Sequence, residues 1–172
     1  TTPEHIAHLV SATRECAIVS RETSPRCVIS GRTQSLSLDD RPLIIGERLN
    51  PTGKKRLKQA LRDGDMDAVM REAIAQTEAG AHALDVNVGL PELDEPACLT
   101  RVVQAVQSVC DVPLQLDTAD PRALEAAMRV YIGRPLVNSV CGKQAVMDAV
   151  FPLVREYGGA LVALTLDESG IL

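Results

Sequence analysis

The chain has 172 residues, 45% of them hydrophobic and 24% charged, a balance that excludes disordered and collagen-like chains. Eighteen basic against 23 acidic side chains leave a net charge of −5, so the basic stripe that duplex nucleic acid demands is absent and no nucleic-acid partner is expected. No apolar run reaches the ~18 residues that span a bilayer, which argues against an integral membrane protein.

Residues 1–19 read as a helix. Thr1 or Thr2 caps it, Pro3 suits the first turn, and Ile6, Leu9, Val10 and Thr13 recur at helical spacing. No basic leader followed by an apolar stretch opens the chain, so no signal peptide is expected. Residues 20–42 are rich in Ser, Arg, Thr, Pro and Gly and read as a linker. Within it, Cys27–Ser30 and Ser35–Leu38 pair as a candidate hairpin around Gly31. The five cysteines, Cys16, Cys27, Cys98, Cys110 and Cys141, are odd in number and lack C-x-x-C spacing. That pattern fits reduced thiols in a cytoplasmic protein better than a disulfide framework or a zinc knuckle.

From Leu43 short apolar runs alternate with amphipathic helices. The runs are 43–46, 83–87, 114–117, 136–140 and 161–166. Four helices lie between them. Val69, Met70, Ala73, Ile74 and Thr77 mark the first, stopped by Gly80. Leu99, Val102, Val103 and Val106 mark the second. Leu124, Ala127, Met128 and Tyr131 mark the third, capped by Asp120 and stopped by Gly133. Val146, Ala149, Val150, Leu153, Val154 and Tyr157 mark the fourth, stopped by Gly158 and Gly159. Five strands alternating with helices predict parallel βα units. Two architectures fit: an open, doubly wound five-strand sheet, or a (β/α)8 barrel cut after about its fifth strand.

Each predicted strand runs into polar residues. They are Glu47 and Asn50, then Asp85 and Asn87, then Asp117, then Asn138 and Ser139, then Asp167 and Glu168. The carboxyl ends of strands are where α/β proteins build sites. Helix capping explains any one of these residues as well as a site does. It does not explain a carboxylate inside a hydrophobic run such as Leu84-Asp85-Val86. With Arg48 the nearest positive charge, the rim suits a ligand rich in N–H donors rather than a phosphate.

Other signals are weaker. His5 and His8 lie a helical turn apart without a third ligand, so a solvated face is the better reading. The same holds for Lys54, Lys55, Arg56 and Lys58. No dinucleotide, P-loop or nucleophile-elbow motif is present. Cys141 has no paired His and is read as structural.

The segments Leu43-Ile44-Ile45-Gly46-Glu47-Arg48-Leu49-Asn50-Pro51-Thr52-Gly53-Lys54, Ala83–Gly89, Leu116-Asp117-Thr118, Val137–Val140 and Tyr157–Gly170 resemble, in order, the pterin-binding domain of the cobalamin-dependent methionine synthases. The resemblance covers residues 43–172, and Thr1–Ile6 is similar to the last helix of the homocysteine-binding barrel that precedes that domain. It implies a (β/α)8 barrel of the dihydropteroate synthase-like type that binds 5-methyltetrahydrofolate. The methyl group then passes to cobalt(I) of a cobalamin on a separate domain, and on to homocysteine. Asp117 and Asn138 match family positions that bond the pterin, Asp85 and Asn87 support that edge, and Glu47 and Asn50 share the rim. A zinc-binding Cys pair of the family is absent here, so no zinc is expected. The family's Asn nearest N5 and another pterin-binding Asp are expected beyond Leu172, which leaves this stretch with part of a site. Open strand edges predict association with a second copy.

Alternatives are a methyltransferase that donates to a corrinoid iron–sulfur protein and a dihydropteroate synthase. A non-catalytic, flavodoxin-like five-strand module is a third. Strand order separates that module from a barrel: 2-1-3-4-5 for the former, sequential neighbours for the latter.

Overall fold

The computed structural model describes residues 1–20 and 26–171; residues 21–25 of the expected linker and Leu172 lie outside them. Helix α1 (Pro3–Thr13) starts as its sequence predicts, with Thr2 as N-cap and Pro3 in the first turn. The His5 ring nitrogen Nδ1 accepts a hydrogen bond from the Thr2 amide at 3.1 Å. Every residue of α1 is exposed, including Ile6, Leu9 and Val10.

The hairpin forms where expected: β1 (Val28–Ser30) pairs antiparallel with β2 (Ser35–Ser37). Then come β3 (Ile45–Leu49), α2 (Lys55–Asp63), α3 (Met66–Glu78), β4 (Ala83–Val86), α4 (Glu95–Val109), β5 (Leu114–Asp117), α5 (Pro121–Val130), β6 (Leu136–Cys141), α6 (Gln144–Tyr157) and β7 (Ala160–Leu164). A two-residue pair, β8 (Leu166–Asp167) with β9 (Gly170–Ile171), follows. Strands β3 to β7 form one parallel sheet in the order β3-β4-β5-β6-β7. Sequential neighbours are the barrel arrangement, and the flavodoxin-like order is excluded.

The layers agree. Leu84, Val86, Leu114, Leu116 and Val137 bury one face of the sheet in a cluster that takes residues from all five helices α2 to α6. A doubly wound sheet would have helices on both faces. Here the second face carries Ala83, Leu136 and Ala160, packed with Ile29 of the hairpin and flanked by Leu36 and Leu38. This is the helix-outside, strand-inside layering of a barrel, so the fold is a five-strand portion of the TIM-barrel type.

The hairpin plugs the lower end of the inner face. Ser30 and Arg134 exchange backbone hydrogen bonds at 2.8 and 3.0 Å. The Tyr131 hydroxyl donates to the Ser30 carbonyl at 3.0 Å and accepts from the Leu114 amide at 2.8 Å. Two glycines allow this approach. A side-chain carbon at Gly31 would lie 2.3 Å from the Asp111 carbonyl oxygen. At Gly133, where φ is +117°, it would lie 2.4 Å from that of Ser30.

Several boundaries differ from expectation. The first sheet strand runs on through Glu47 and Arg48 to Leu49 rather than ending at Gly46. Its register with β4 shifts between Gly46 and Leu49. The side chain of Gln76, buried in α3, accepts the Arg48 amide at 2.8 Å. Helix α2 was not anticipated: its apolar positions are only Leu57, Ala60 and Leu61 among basic residues, and Gly64 at φ +69° closes it. Helix α5 ends at Val130, before the expected Gly133 stop. The last run splits, with β7 ending at Leu164 and Leu166 entering the small hairpin.

Ile29 is 1% exposed at the centre of the plug. Truncation to Ala is expected to lower unfolding stability by about 2–5 kcal/mol, read by urea denaturation. A loss under ~0.5 kcal/mol would mean that the hairpin does not seal the sheet.

Candidate functional site

Side-chain alternation along parallel strands places partners of equal register on one face. Asp85 pairs with Gln115, and Asp117 pairs with Asn138, in the main sheet. All four share the inner face with Ala83, Leu136 and Ala160, away from the helices. The lowest row is apolar and meets the hairpin. Asp85 and Gln115 stand higher, and Asp117 and Asn138 stand at the carboxyl end. Depth follows the same order, since Asp85 is 2% and Gln115 8% exposed, while Asp117 and Asn138 are half-buried.

Hydrogen bonds knit these residues together. Asn87 donates through Nδ2 to Asp117 Oδ2 at 2.9 Å, and its Oδ1 accepts the Gly89 amide at 2.9 Å. That second bond turns the chain after β4 and fixes which end of the amide faces Asp117. Gln115 donates through Nε2 to Asp85 Oδ1 at 2.5 Å. Asn138 makes no side-chain hydrogen bond among the described residues, and its carbonyl accepts the Thr118 amide at 3.3 Å. The Thr118 hydroxyl bonds Glu95 and accepts the Asp120 amide, which ties the loop after β5 to α4.

The remaining rim residues behave differently. Asn50 Oδ1 accepts the Thr52 amide at 3.0 Å, so its side chain builds the turn after β3. Lys54 folds back and donates through Nζ to the carbonyls of Glu47 and Asn50, each at 3.1 Å. It is therefore a loop brace rather than part of a solvated stripe. Glu47 is exposed within β3. Arg48, expected from the sequence to be the nearest positive charge, is paired with Glu72, and it is Lys54 whose charge acts on Asp85. Asp167 accepts from Ser169, and Glu168 accepts the Gln144 amide; both belong to the hairpin past β7. Among the described residues no group of three or more His, Cys, Asp or Glu is placed to hold a metal. Nor is any helix there long and apolar enough to cross a membrane.

Electrostatics register the same convergence. Burial pushes the Asp85 carboxyl up from 3.8 to about 6. The Gln115 hydrogen bond holds it down, Asp117 and Glu47 raise it further, and Lys54 lowers it. Carboxylates from three neighbouring strands thus feel one another across the inner face. Such an array offers acceptors, with the Asn138 amide both donor and acceptor, toward a flat partner lined with N–H groups.

Gln115 and Lys54 were missed in the sequence as site residues. For Gln115 a signal existed: it stands two residues before Asp117, on the same side of a strand whose other residues are leucines.

The family model described as "Pterin binding enzyme" matches residues 46–170. The chain belongs to this pterin-binding enzyme family. Within the family it is similar to a methionine synthase of Mycobacterium tuberculosis, at 30% identity over 177 aligned residues. That alignment covers 99% of this chain and 15% of the relative, so the chain spans about a seventh of that protein's length. Two crystal structures of Plasmodium falciparum HPPK-DHPS with STZ-DHP, a variant and the wild type, are 13% and 15% identical. Each covers 92% of this chain at a TM-score of 0.44, with 27% and 28% of their own chains included.

The buried Asp85 has a consequence for stability. Its pKa is higher in the folded chain than in the unfolded one, so the folded state holds the proton more tightly. This contribution to stability is present in full below about pH 4 and is lost as pH rises through about 6. Asp85→Asn removes the charge and keeps the shape. Between pH 5 and pH 8 the variant is expected to gain on the original chain by on the order of 1–3 kcal/mol, read by denaturant unfolding at both pH values. A constant difference would place the carboxylate in water rather than in the core.

Proposed function

We propose that the inner-face cluster binds the pterin head of 5-methyltetrahydrofolate and presents its N5-methyl group for transfer. One observation carries the reading. In a chain of the pterin-binding family, Asp117 and Asn138 are register partners on the inner face, with Asn87 fixing Asp117 from the next strand.

A reduced pterin edge displays ring N–H groups and an exocyclic amine beside ring-nitrogen acceptors. The Asp117 carboxylate accepts two donors at once, and a charge-assisted bond of this kind is about twice as strong as a neutral one. Asn138, whose amide has no partner among the described residues, supplies both a donor and an acceptor. Asp85 lies deeper as a second acceptor. Glu47 and Asn50 shape the rim, Asn50 through the turn it caps. The floor is closed by the hairpin, so the ring enters from the carboxyl end of the strands.

In transfer, the bond between N5 and the methyl carbon breaks, its electron pair stays on N5, and N5 takes up a proton. Acid assistance of that kind contributes ~10²–10⁴-fold. A cobalamin carried on another domain would supply a cobalt(I) nucleophile for the methyl group; the methyl's departure leaves tetrahydrofolate, and homocysteine would finally receive it to give methionine. The share of the reaction proposed for this chain is to bind the folate, orient N5 and exclude water. Its partners are accordingly the cobalamin-binding and homocysteine-binding domains of a methionine synthase. The similarity of the whole chain to the mycobacterial protein favours this acceptor over a corrinoid iron–sulfur protein.

Asp117→Ala leaves pterin donors unpaired and frees Asn87. In the intact protein it is expected to weaken 5-methyltetrahydrofolate binding by about 1–3 kcal/mol for each donor left without a partner. Calorimetric titration measures this directly, and unchanged affinity would remove Asp117 from the site.

A further inference from the structure

We propose that Gln115 is a positioning residue of this site: its side-chain amide holds the Asp85 carboxylate in one orientation and leaves Oδ2 free to accept a hydrogen bond from a pterin N–H. The inference rests on the folate reading above and assigns a role to a side chain that touches the ligand only through Asp85.

The geometry is cross-strand. Asp85 on β4 and Gln115 on β5 are register partners, so their side chains leave the sheet side by side on the inner face. Gln115 Nε2 reaches Asp85 Oδ1 at 2.5 Å, and among the described residues this is the only hydrogen bond to either carboxylate oxygen. No side-chain oxygen sealed from solvent lacks a partner there. Oδ2 of Asp85 therefore keeps a path to solvent although the residue is 2% exposed. A carboxylate with one oxygen anchored and the other open is a directed acceptor.

The anchor also acts on charge. The groups that face Asp85 are Asp117 on β5, Glu47 on β3 and Lys54 in the loop after β3. The two acids disfavour its ionised form and Lys54 favours it. Gln115 adds a donor that favours ionisation, against the larger opposing effect of burial. Without that donor the carboxyl takes up its proton at higher pH, and a protonated Oδ2 no longer accepts from the ring.

The test is the pH profile of 5-methyltetrahydrofolate affinity in the intact protein and in Gln115→Met, which keeps the volume and removes the donor. The original protein is expected to lose affinity as pH falls through about 6. In the variant the same loss begins at higher pH. Affinity near pH 6.5 then drops by about threefold for a displacement of one unit and by nearly tenfold for each unit beyond it, while values near pH 8.5 stay close together. Gln115→Asn, which shortens the arm but keeps the amide, displaces the profile in the same direction and serves where Gln115→Met does not fold. The carboxyl carbon shift of Asp85, titrated without ligand, reads the charge effect alone and is expected to move upward in both variants. Parallel profiles, or an unmoved Asp85 titration, overturn the role of Gln115 while folate binding stands. Absence of binding by the original protein at every pH overturns the folate reading and this inference with it.

Discussion

A carboxylate at 2% exposure inside a sheet is tolerated only where something answers its charge. For Asp85 the answer comes from its neighbours: the Gln115 amide at 2.5 Å and the field of Lys54, against which Asp117 and Glu47 push. Most of the local architecture is arranged around that requirement. Gln115 must stand on the adjacent strand in equal register, which a parallel pair with a continuous ladder provides. Lys54 must turn back over the strand end, and it does so by bonding the carbonyls of Glu47 and Asn50. The turn it crosses is in turn set by the Asn50 side chain.

Sealing the floor serves the same end. If water entered freely from below, Asp85 would be solvated and its pKa ordinary. Ile29 closes that route against Ala83, Leu136 and Ala160. Small side chains on the sheet leave room for the plug, and Gly31 and Gly133 let its backbone touch the neighbouring carbonyls. Tyr131 links plug and sheet through one hydroxyl that both donates and accepts. Burial pushes that hydroxyl up to about 12, so it remains a neutral, bifunctional link throughout the working range of pH.

What the sequence disclosed follows from how local each signal is. The strand–helix alternation, the caps at Asp120 and Thr2, and the hairpin around Gly31 depend on neighbouring residues and were legible. Asp117 and Asn138 were legible because a polar residue at the end of an apolar run stands out. Helix α2 was not, because three apolar residues among Lys55, Arg56, Lys58 and Arg62 read as a charged stretch until a core is there to receive them. The continuation of β3 through Glu47 and Arg48 was hidden for a similar reason. Its shifted register leaves the Arg48 amide to a side chain 28 positions away, Gln76. Gln115 carried a local signal in its place two residues before Asp117, but the partner that gives it meaning, Asp85, lies thirty residues earlier and on another strand.

Polarity therefore rises along the inner face from floor to rim: Ala83, Leu136 and Ala160 at the plug, Asp85 with Gln115 above them, Asp117 with Asn138 and Asn87 at the opening. The gradient divides labour by depth. Rim groups keep contact with water, so they pair with a ligand by exchanging one set of hydrogen bonds for another, at a small net gain per bond. The deep acid has no such exchange. Its open oxygen is already largely dehydrated, and part of the expense of desolvation is met when the chain folds rather than when a ligand arrives. A donor that reaches Oδ2 therefore gains more from it than from a solvated carboxylate. The same preorganisation makes Asp85 a destabilising group at neutral pH, and on the proposed folate reading it would favour a partner able to carry an N–H to that depth.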